Sequence, residues 1–455
     1  MKATIAYIGG GSRGWAWVLM GDLAKEQELS GTVRLYDLDF HSAEANARIG
    51  NALKGCGDVA GDWTYVAVRT LREALEGADV VVASILPGTF DEMESDVHAP
   101  ERYGVYQSVG DTTGPGGLMR ALRTVPLYVE IARAVEEFCP NAWVVNYTNP
   151  MALCVRALYE TFPAVKAFGC CHEVFGTQKL LSQALADVAG IKDVPKDEIR
   201  VNVLGVNHFT WLDAASWRGT DLFPVYAEFV EKHHAEGWEG GKETGHWMNS
   251  WFDSAERVKF DLFRRYRLIA AAGDRHLAEF CPPWYLADPE TVKEWKFTLT
   301  PVSWRKKNAQ DLAAKAARLA AGSEPFALTD SGEEGVALIK ALLGLGDTVS
   351  NVNLPNRGQV EGLPLGAVVE TNALFSRDSV RPVEAGRLPQ DVEALVSRPA
   401  HAQATILKAA LENDRRLAFS AFIDDPLMTL RRSDAEDLFD RMLRATAKYL
   451  PLWKL

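Results

Sequence analysis

Short apolar runs and helical segments alternate along the amino-terminal half of the chain. Such runs, without alternating polar positions, are typical of strands that are buried on both faces, as in parallel sheets covered by helices. A long helical segment near residues 118–138 fits between two of them. The alternation predicts an α/β fold, a Rossmann-type doubly wound parallel sheet. The predicted strands are residues 3–8, 33–37, 78–85, 143–146 and 164–169.

The second half of the chain has a different pattern. Residues 199–209 indicate one long strand, and residues 348–354 alternate apolar and polar positions, the period of a half-buried strand. We therefore expect a second α+β lobe with a mixed or antiparallel sheet. Because no linker or repeat separates the halves, we predict two directly joined domains, residues 1–195 and 196–455. The other elements predicted in the second are a strand at 366–370 and helical segments at 247–266, 309–320, 331–344 and 400–450.

A glycine-rich sequence follows the first predicted strand, with the spacing G-x-G-x-x-G, and an acidic residue ends the second strand. In dinucleotide-binding folds the glycines let the backbone approach a pyrophosphate, and the helix amino terminus stabilises its charge. The acidic residue, Asp37, would accept hydrogen bonds from the ribose hydroxyls, which favours NAD over NADP. The predicted cofactor-binding residues are Gly9, Gly11, Ser12, Arg13, Gly14 and Asp37.

Charge and cysteine content narrow the class of protein. The net charge of −12 over 455 residues disfavours binding to nucleic acid or to an anionic membrane, since both need a basic surface. Six cysteines without a recurring spacing do not form a disulfide framework, so reduced thiols are expected. The first residues lack the long apolar core of a signal peptide, and no apolar stretch is long enough to span a bilayer. We expect a cytoplasmic enzyme.

Polar residues follow several of the predicted strands, at the edge where open α/β sheets bind ligands. Asn149 lies there, and residues 111–117 form a glycine-rich loop that could close over a substrate. Cys171 and His208 also end strands, and a thiolate with an imidazole can bind a divalent ion while leaving positions open for substrate oxygens. From spacing alone, a buried structural cysteine and histidine are the alternative.

Several motifs, spread over nearly the whole chain, together resemble one known family. They are Gly9-Gly10-Gly11-Ser12, Asp37, Asp111 to Gly117, Asn149-Pro150, Cys171-His172-Glu173-Val174, Gly205-Val206-Asn207-His208, Gly273-Asp274-Arg275-His276 and Asn353-Leu354-Pro355-Asn356. The chain resembles glycoside hydrolase family 4, the NAD- and divalent-metal-dependent glycosidases, whose fold is related to that of lactate and malate dehydrogenases. The set is far more specific than any single motif.

The resemblance implies a glycosidase mechanism that differs from the usual pair of carboxylates. The sugar is oxidised at C3 with hydride transfer to NAD⁺, a base removes the C2 proton, and the C1–O bond breaks by elimination. Water then adds, and the hydride returns to C3. The implied metal, usually Mn²⁺, would be held by Cys171 and His208 and would stabilise the enediolate. A thiolate would also suit zinc, so the identity of the metal stays open.

The resemblance also implies roles for other residues. Many family members use a tyrosine as the C2 base in the region aligned with residues 270–280, and this chain has none there. Asp274 is the candidate base, with His276 as the alternative. His172 or Asp111 would be the general acid.

The sequence Cys-His-Glu-Val resembles the α-galacturonidases of the family, so the predicted substrate is a small glycoside of a uronic acid. Arginines suit its carboxylate. The candidate substrate residues are Asn149, His172, Glu173, Arg275 and Arg357, with Arg13 and Arg120 as further options for the carboxylate. An α-glucosidase or α-glucuronidase of the same family, an NAD-dependent 2-hydroxyacid dehydrogenase, and a non-enzymatic NAD sensor are the alternatives. A homodimer or homotetramer is expected by the same resemblance.

Overall fold

A nine-stranded sheet forms the centre of the structure, a computed structural model in which residues 1–55, 59–240, 252–329 and 331–453 are described. Six neighbouring strands are parallel, in the order β3-β2-β1-β4-β5-β6, which confirms the predicted doubly wound sheet. The strands are β1 Lys2–Ile8, β2 Ser30–Tyr36, β3 Asp62–Val68, β4 Val80–Ala83, β5 Trp143–Asn146 and β6 Lys166–Gly169.

Helices connect these strands and cover both faces of the sheet. Along β1, Ala6 and Ile8 belong to the apolar core on one face, while Ile5 and Tyr7 belong to the core on the other. This alternation follows from the two-residue period of a strand. The helices are α1 Trp15–Lys25, α2 Phe40–Ala52, α3 Leu71–Leu75, α4 Phe90–His98, α5 Gly114–Phe138, α6 Met151–Thr161 and α7 Glu173–Ala189.

Three antiparallel strands from the second half extend this sheet beyond β6. They are β11 Thr348–Pro355, β13 Val368–Ser376 and β14 Ser379–Pro382, and Asn353 of β11 pairs with Gly169 of β6. The expectation that 348–354 and 366–370 belong to a sheet of the second lobe is therefore wrong. The alternation of β11 was misleading because its polar residues are buried too. The predicted boundary at 195/196 stays a prediction.

The second half also has a small antiparallel sheet, in the order β10-β8-β7 with β9 beside β8. Residues 199–209 do not form one strand, because the chain reverses at Asn207-His208, where His208 has a left-handed φ of 64°. The hairpin places His208 at its tip, facing the main sheet. The strands are β7 Ile199–Val206, β8 Phe209–Trp217, β9 Thr220–Asp221 and β10 Ile269–Ala270.

Of the remaining helices, α9 and α10 pack beside this small sheet, α12 packs on α2 and α4 of the first half, and α14 and α15 pack on α5. Of the predicted helical segment 247–266, the helix begins at Arg257, and residues 247–251 lie outside the described residues. The elements are α8 Phe223–His233, α9 Arg257–Tyr266, α10 Asp274–Phe280, α11 Pro289–Glu294, α12 Val302–Ala320, α13 Gly335–Leu342, β12 Val360–Glu361, β15 Gly386–Arg387, α14 Gln390–Glu412, α15 Arg415–Ile423 and α16 Arg432–Ala445.

Two further findings concern membrane spans and disulfide bonds. Across the described ranges, no helix is long and apolar enough to cross a membrane. The described cysteines are all unpaired, and Cys56 lies outside the described residues. The unpaired set is Cys139, Cys154, Cys170, Cys171 and Cys281.

Candidate active site

The glycine-rich loop between β1 and α1 is shaped for a close approach to a ligand. Gly9 has a φ of 93°, and a Cβ there would lie 2.0 Å from the carbonyl oxygen of Ser84, so only glycine fits. The backbone N–H of Gly11 donates to Asp37 Oδ2 at 2.9 Å. Helix α1 begins directly after Gly14, so its free backbone N–H groups face the same edge of the sheet.

The other predicted cofactor residues gather beside this loop. Arg13 donates from Nη2 to Ser42 Oγ at 2.8 Å, and Ser12 Oγ accepts from the Gly14 N–H at 3.4 Å. Leu38, next to Asp37, has 90% of its surface exposed, and sequence reasoning did not single it out. An exposed leucine beside the acidic residue offers an apolar surface to a flat aromatic base. The arrangement could hold a dinucleotide.

Cys171 follows β6 at the same edge, with its thiol buried. Asn207 contacts the thiol, and Asn351 donates from Nδ2 to the Cys171 carbonyl at 3.3 Å. Burial, together with the charges of Glu370 and Glu173, raises the pKa of the Cys171 thiol well above its usual value. A buried thiol between two carboxylates is an electrostatic environment that favours a cation.

Glu370, on β13, lies behind Cys171 and was not singled out from the sequence. Its Oε1 accepts from Asn351 Nδ2 at 2.7 Å, and its Oε2 accepts from Asn207 Nδ2 at 3.3 Å. Burial raises the pKa of Glu370 to about 7. Through its two amide partners, this carboxyl group fixes the backbone and the side chain that surround the thiol.

His208, at the tip of the β7–β8 hairpin, stacks on His276 of α10. Their ring centroids are 3.7 Å apart, and His208 Nδ1 lies 3.1 Å from Thr112 Oγ1. Burial and the neighbouring His276 lower the pKa of His208 to about 3, so the ring is neutral and suited to bind a metal ion. His276 Nδ1 is buried without a hydrogen-bond partner in the described ranges.

Glu173 joins α7 to the start of α10. Its Oε2 accepts from the backbone N–H of Gly273 at 2.6 Å, and its Oε1 lies 3.7 Å from His276 Nε2. Burial opposes its ionisation, but the neighbouring His276 and His172 and the hydrogen bond from the Gly273 N–H outweigh burial and lower the pKa of Glu173 to about 2. Glu173 is therefore an anionic partner of the histidines.

Asp274 lies at the start of α10, but its carboxylate is bound to α9 and not to the histidine pair. Its carboxylate accepts from the backbone N–H groups of Val258 and Lys259, at 3.2 and 3.1 Å, in the first turn of α9. The side chain is fully buried, and burial together with Glu256 raises the pKa of Asp274 to about 7. In this position Asp274 stabilises a helix terminus.

His172 lies on the outer side of Cys171, against Trp15. Its ring centroid is 5.9 Å from that of Trp15, and its Nδ1 is 3.3 Å from Glu333 Oε1. Burial opposes a charge on His172, but Glu333 outweighs it and raises the pKa of the imidazolium to about 9. A cavity of about 200 Å³ borders this pair and Glu173. Glu333 lies far away in the sequence, in a polar segment without a motif.

Asp111, Arg120 and Asn149 meet on the other side of the histidine pair. Arg120 donates from Nε to the Asn149 carbonyl at 2.9 Å, and Thr112 donates from Oγ1 to Asp111 Oδ1 at 2.8 Å. Burial opposes ionisation of Asp111, but the Arg120 guanidinium and the hydrogen bond from Thr112 outweigh burial and lower the pKa of Asp111 to about 2. Helix α5 begins already at Gly114, so the predicted loop is shorter than its sequence suggested.

Several buried polar atoms of this region have no hydrogen-bond partner. Arg120 Nη1, Asn149 Oδ1 and Asn207 Oδ1, like His276 Nδ1, are buried and without a hydrogen-bond partner anywhere in the described part of the chain. Buried polar groups are rarely left unpaired unless a ligand or water satisfies them. No group of three or more His, Cys, Asp or Glu residues that could hold a metal ion occurs among the described residues, so the predicted pair of Cys171 and His208 stays a prediction.

The two arginines predicted to bind a carboxylate differ in position. Arg275 is buried beside the site, and it donates from Nε to the Thr298 carbonyl at 3.1 Å and from Nη2 to Ser108 and Thr300. Arg357 is exposed in the turn after β11. Since β11 runs antiparallel to β6, this turn lies at the amino end of the parallel strands, opposite Cys171. The structure therefore does not bring Arg357 together with the other predicted residues.

The fold and the site define an enzyme built on a dinucleotide-binding α/β fold. More specifically, the chain belongs to glycosyl hydrolase family 4, because residues 4–187 match the family 4 glycosyl hydrolase model and residues 203–428 match the model of its C-terminal domain. The protein is accordingly a glycoside hydrolase.

Similar proteins agree with this assignment. An α-galacturonidase of Thermoanaerobacterium saccharolyticum is 63% identical over 453 residues, which cover 99% of this chain and 97% of that protein. The crystal structure of LplD from Bacillus subtilis, 52% identical, covers 97% of this chain and 100% of that chain with a TM-score of 0.92. A 6-phospho-α-glucosidase from gut microorganisms, solved with NAD and Mn²⁺, covers 100% of both chains with a TM-score of 0.84. At 19% identity, this last likeness is one of fold.

Proposed function

We propose that the protein is an α-galacturonidase that uses NAD and a divalent metal ion, and that it cleaves its substrate by oxidation and elimination. The observation that carries the proposal is the convergence, at one edge of the sheet, of the glycine loop, the Cys171 thiol and the stacked pair of His208 and His276. The α-galacturonidase that is 63% identical supports the choice of sugar.

The residues at this edge fit both groups. For NAD, the loop at Gly9 lacks any side chain that would block the backbone, and Asp37 can accept from a ribose. For the metal, the Cys171 thiol and the His208 ring would be the protein ligands, next to the unpaired Asn207 Oδ1. When bound, NAD⁺ provides reversible hydride transfer at C3, and the divalent ion polarises the sugar oxygens at C2 and C3.

The geometry favours His276 as the base that removes the C2 proton. Its Nδ1 is buried and unpaired within the described ranges, while Glu173 Oε1 lies 3.7 Å from its other nitrogen. A carboxylate on one nitrogen orients an imidazole so that the other can accept a proton. The carboxylate of Asp274 is occupied by two backbone N–H groups of α9 instead.

His172 fits the role of general acid, which protonates the leaving oxygen. Its ring borders the cavity of about 200 Å³ and is held by Glu333, so a donor N–H can face a ligand. Asp111 fits this role less well, because Arg120 keeps it ionised. An ionised Asp111 can instead accept hydrogen bonds from sugar hydroxyls, as can the unpaired Asn149 Oδ1.

A turnover experiment tests the proposal. The purified protein, with NAD⁺, Mn²⁺ and a thiol reductant, is expected to hydrolyse p-nitrophenyl α-galacturonide without net accumulation of NADH, and deuterium from D₂O is expected at C2 of the product. A panel with the glucuronide, glucoside, galactoside and 6-phosphoglucoside measures the sugar preference. Stoichiometric NADH would favour a hydroxyacid dehydrogenase, and turnover of the phosphorylated sugar alone would contradict the substrate assignment.

A further inference from the structure

Three arginine side chains meet beside Asp111, on the side of the site away from the glycine loop. The guanidinium groups of Arg275 and Arg305 lie over the same ring, Phe252, at 4.8 and 5.4 Å from its centroid. Arg120 is the third, and the negative charge of Asp111 acts on all three. Like charges held together in a partly buried place are stable only with counter-charges nearby.

The carboxylates of this region do not neutralise the three arginines. Glu279 is buried, its Oε1 accepts from the backbone N–H groups of Val109 and Gly110, and burial raises its pKa to about 8. Glu279 is therefore mostly uncharged at neutral pH. Asp111 is the ionised group that acts on all three guanidinium groups, and Glu173 adds a second negative charge that acts on Arg275. Three guanidinium groups therefore face two ionised carboxylates, and the remaining positive charge suits an anionic ligand.

The arginines differ in how many donors they have left. Arg275 uses Nε and Nη2 for carbonyl and hydroxyl oxygens of the protein, and Arg120 uses Nε for the Asn149 carbonyl. Arg305 makes no hydrogen bond and no ion pair with any residue that the structure describes, and its guanidinium group lies over the Phe252 ring. Its fork of N–H donors is therefore available to a carboxylate.

The position of Arg305 is fixed by the residues around it. It lies in the first turns of α12, where the backbone N–H of Val302 donates to His98 Nε2 at 3.1 Å. The next residue, Lys306, donates to Asp91 Oδ1 and Glu94 Oε2, both at 2.6 Å. These contacts attach the start of α12 to α4, and the Phe252 ring contacts the Arg305 guanidinium group.

We propose that Arg305 binds the carboxylate at C6 of the uronic acid, assisted by the unpaired Nη1 of Arg120, and thereby selects uronides over neutral sugars. The inference rests on the proposed function, since it assumes that the substrate enters beside Asp111. It assigns the role to a residue that no sequence motif singled out. On this assignment, Arg275 holds the loop at Ser108, and Arg357 does not contribute to carboxylate binding within this chain.

Substrate selectivity tests the assignment. Arg305→Ala should lower kcat/KM for the α-galacturonide roughly 100-fold while leaving that for the α-galactoside nearly unchanged, because only the uronide loses a charged partner. Arg305→Lys should lie between, since an ammonium group keeps the charge but not the fork. Arg318→Ala is the matched control: this arginine lies on the same helix, more than half exposed, and pairs with Glu324.

Binding by the protein without turnover gives a second measurement. Calorimetric titration with D-galacturonate and D-galactose should show that Arg305→Ala weakens binding of the acid roughly 100-fold and leaves the neutral sugar unaffected. If the wild-type protein hydrolyses the galacturonide and Arg305→Ala has the same selectivity as the wild type, the role of Arg305 is overturned while the proposed function stands. A wild-type protein that turns over no galacturonide would overturn the proposed function, and tighter binding of inorganic phosphate than of galacturonate would assign the arginines to a phosphorylated sugar instead.

Discussion

The imidazole rings of His208 and His276 stack with centroids 3.7 Å apart and planes inclined by 30°. His208 comes from the tip of the β7–β8 hairpin and His276 from the first turn of α10, so this contact joins two elements that are distant in the sequence. Glu173 adds a third element, α7, because its two oxygens face His276 and the backbone N–H of Gly273. The proposed metal ligand and the proposed base therefore belong to one packed cluster.

Replacing the proposed base should stop proton removal without disturbing the cofactor loop. We expect His276→Gln to lower kcat roughly 100- to 10,000-fold, the usual contribution of general base catalysis. Exchange of the C2 proton with D₂O, followed by NMR, should be lost to the same extent. NAD binding, measured by quenching of protein fluorescence, should stay unchanged because Gly9 and Asp37 lie in the loops after β1 and β2, away from α10.

Substitutions at Asp274 should change stability rather than activity, the opposite of the substitution at His276. Asp274→Asn keeps an oxygen that can accept from the α9 backbone, so activity should remain within a few-fold of the wild type. Asp274→Ala removes the acceptor and should lower the free energy of unfolding by about 1–2 kcal/mol, as for loss of a helix cap. A folded but inactive Asp274→Asn, together with an active His276→Gln, would return the role of base to Asp274.

Metal binding should depend on one of two adjacent cysteines. Cys171→Ser should weaken Mn²⁺ binding at least roughly 100-fold, measured as free Mn²⁺ by electron paramagnetic resonance. Cys170→Ser is the matched control, because Cys170 faces Tyr147 and should bind Mn²⁺ like the wild type. Incubation with EDTA should remove activity, and Mn²⁺ should restore it. Equal Mn²⁺ affinity in both variants would exclude Cys171 as a ligand.

Local sequence signals were sufficient for the first half of the fold. The glycine spacing, the strand before it and Asp37 lie within forty residues, and the structure joins the Gly11 N–H to Asp37 at one edge of the sheet. The parallel direction of the strands followed from apolar runs joined by helices. Each of these features depends on neighbours in the chain, which is why a single sequence was enough.

The long-range contacts of the fold and of the site could not be predicted from a single sequence. The strand β11 pairs with β6 almost two hundred residues earlier, and this pairing puts Arg357 at the wrong edge of the sheet for a ligand near Cys171. Glu333 and Arg305 reach the site from segments without a motif, because nothing in the local spacing of a charged residue indicates which distant cavity it faces. Asp274 and His276 were both named, but only the packing of α9 separates their roles.

The identity of the nucleotide should depend on Asp37. Asp37→Ala should weaken NAD⁺ binding roughly 10- to 100-fold, because hydrogen bonds to a charged group are lost and the Gly11 N–H loses its partner. The affinity for NADP⁺ should fall less or rise, since a negative charge no longer repels the 2′-phosphate. Fluorescence titration with each nucleotide measures both. Asp62→Ala is the control, as this exposed carboxylate lies at the start of β3, at the opposite edge. An unchanged preference would show that another group reads the ribose.

Glu370 should stabilise the surroundings of the Cys171 thiol from its buried side, without contacting the substrate. In Glu370→Ala the Nδ2 groups of Asn207 and Asn351 lose buried acceptors, and the free energy of unfolding should fall by about 2–4 kcal/mol, measured by urea denaturation. Glu370→Gln keeps the shape and one acceptor, so it should fold and still bind Mn²⁺ roughly 10- to 100-fold more weakly, because Asn207 and Asn351 are no longer both held against Cys171. A carboxylate exposed on β12 provides the control, Glu361→Ala, which should match the wild type in both measurements. If Glu370→Gln kept full Mn²⁺ affinity, the carboxylate would contribute to stability alone, and the environment of the thiol would be set by Asn207 and Asn351 themselves.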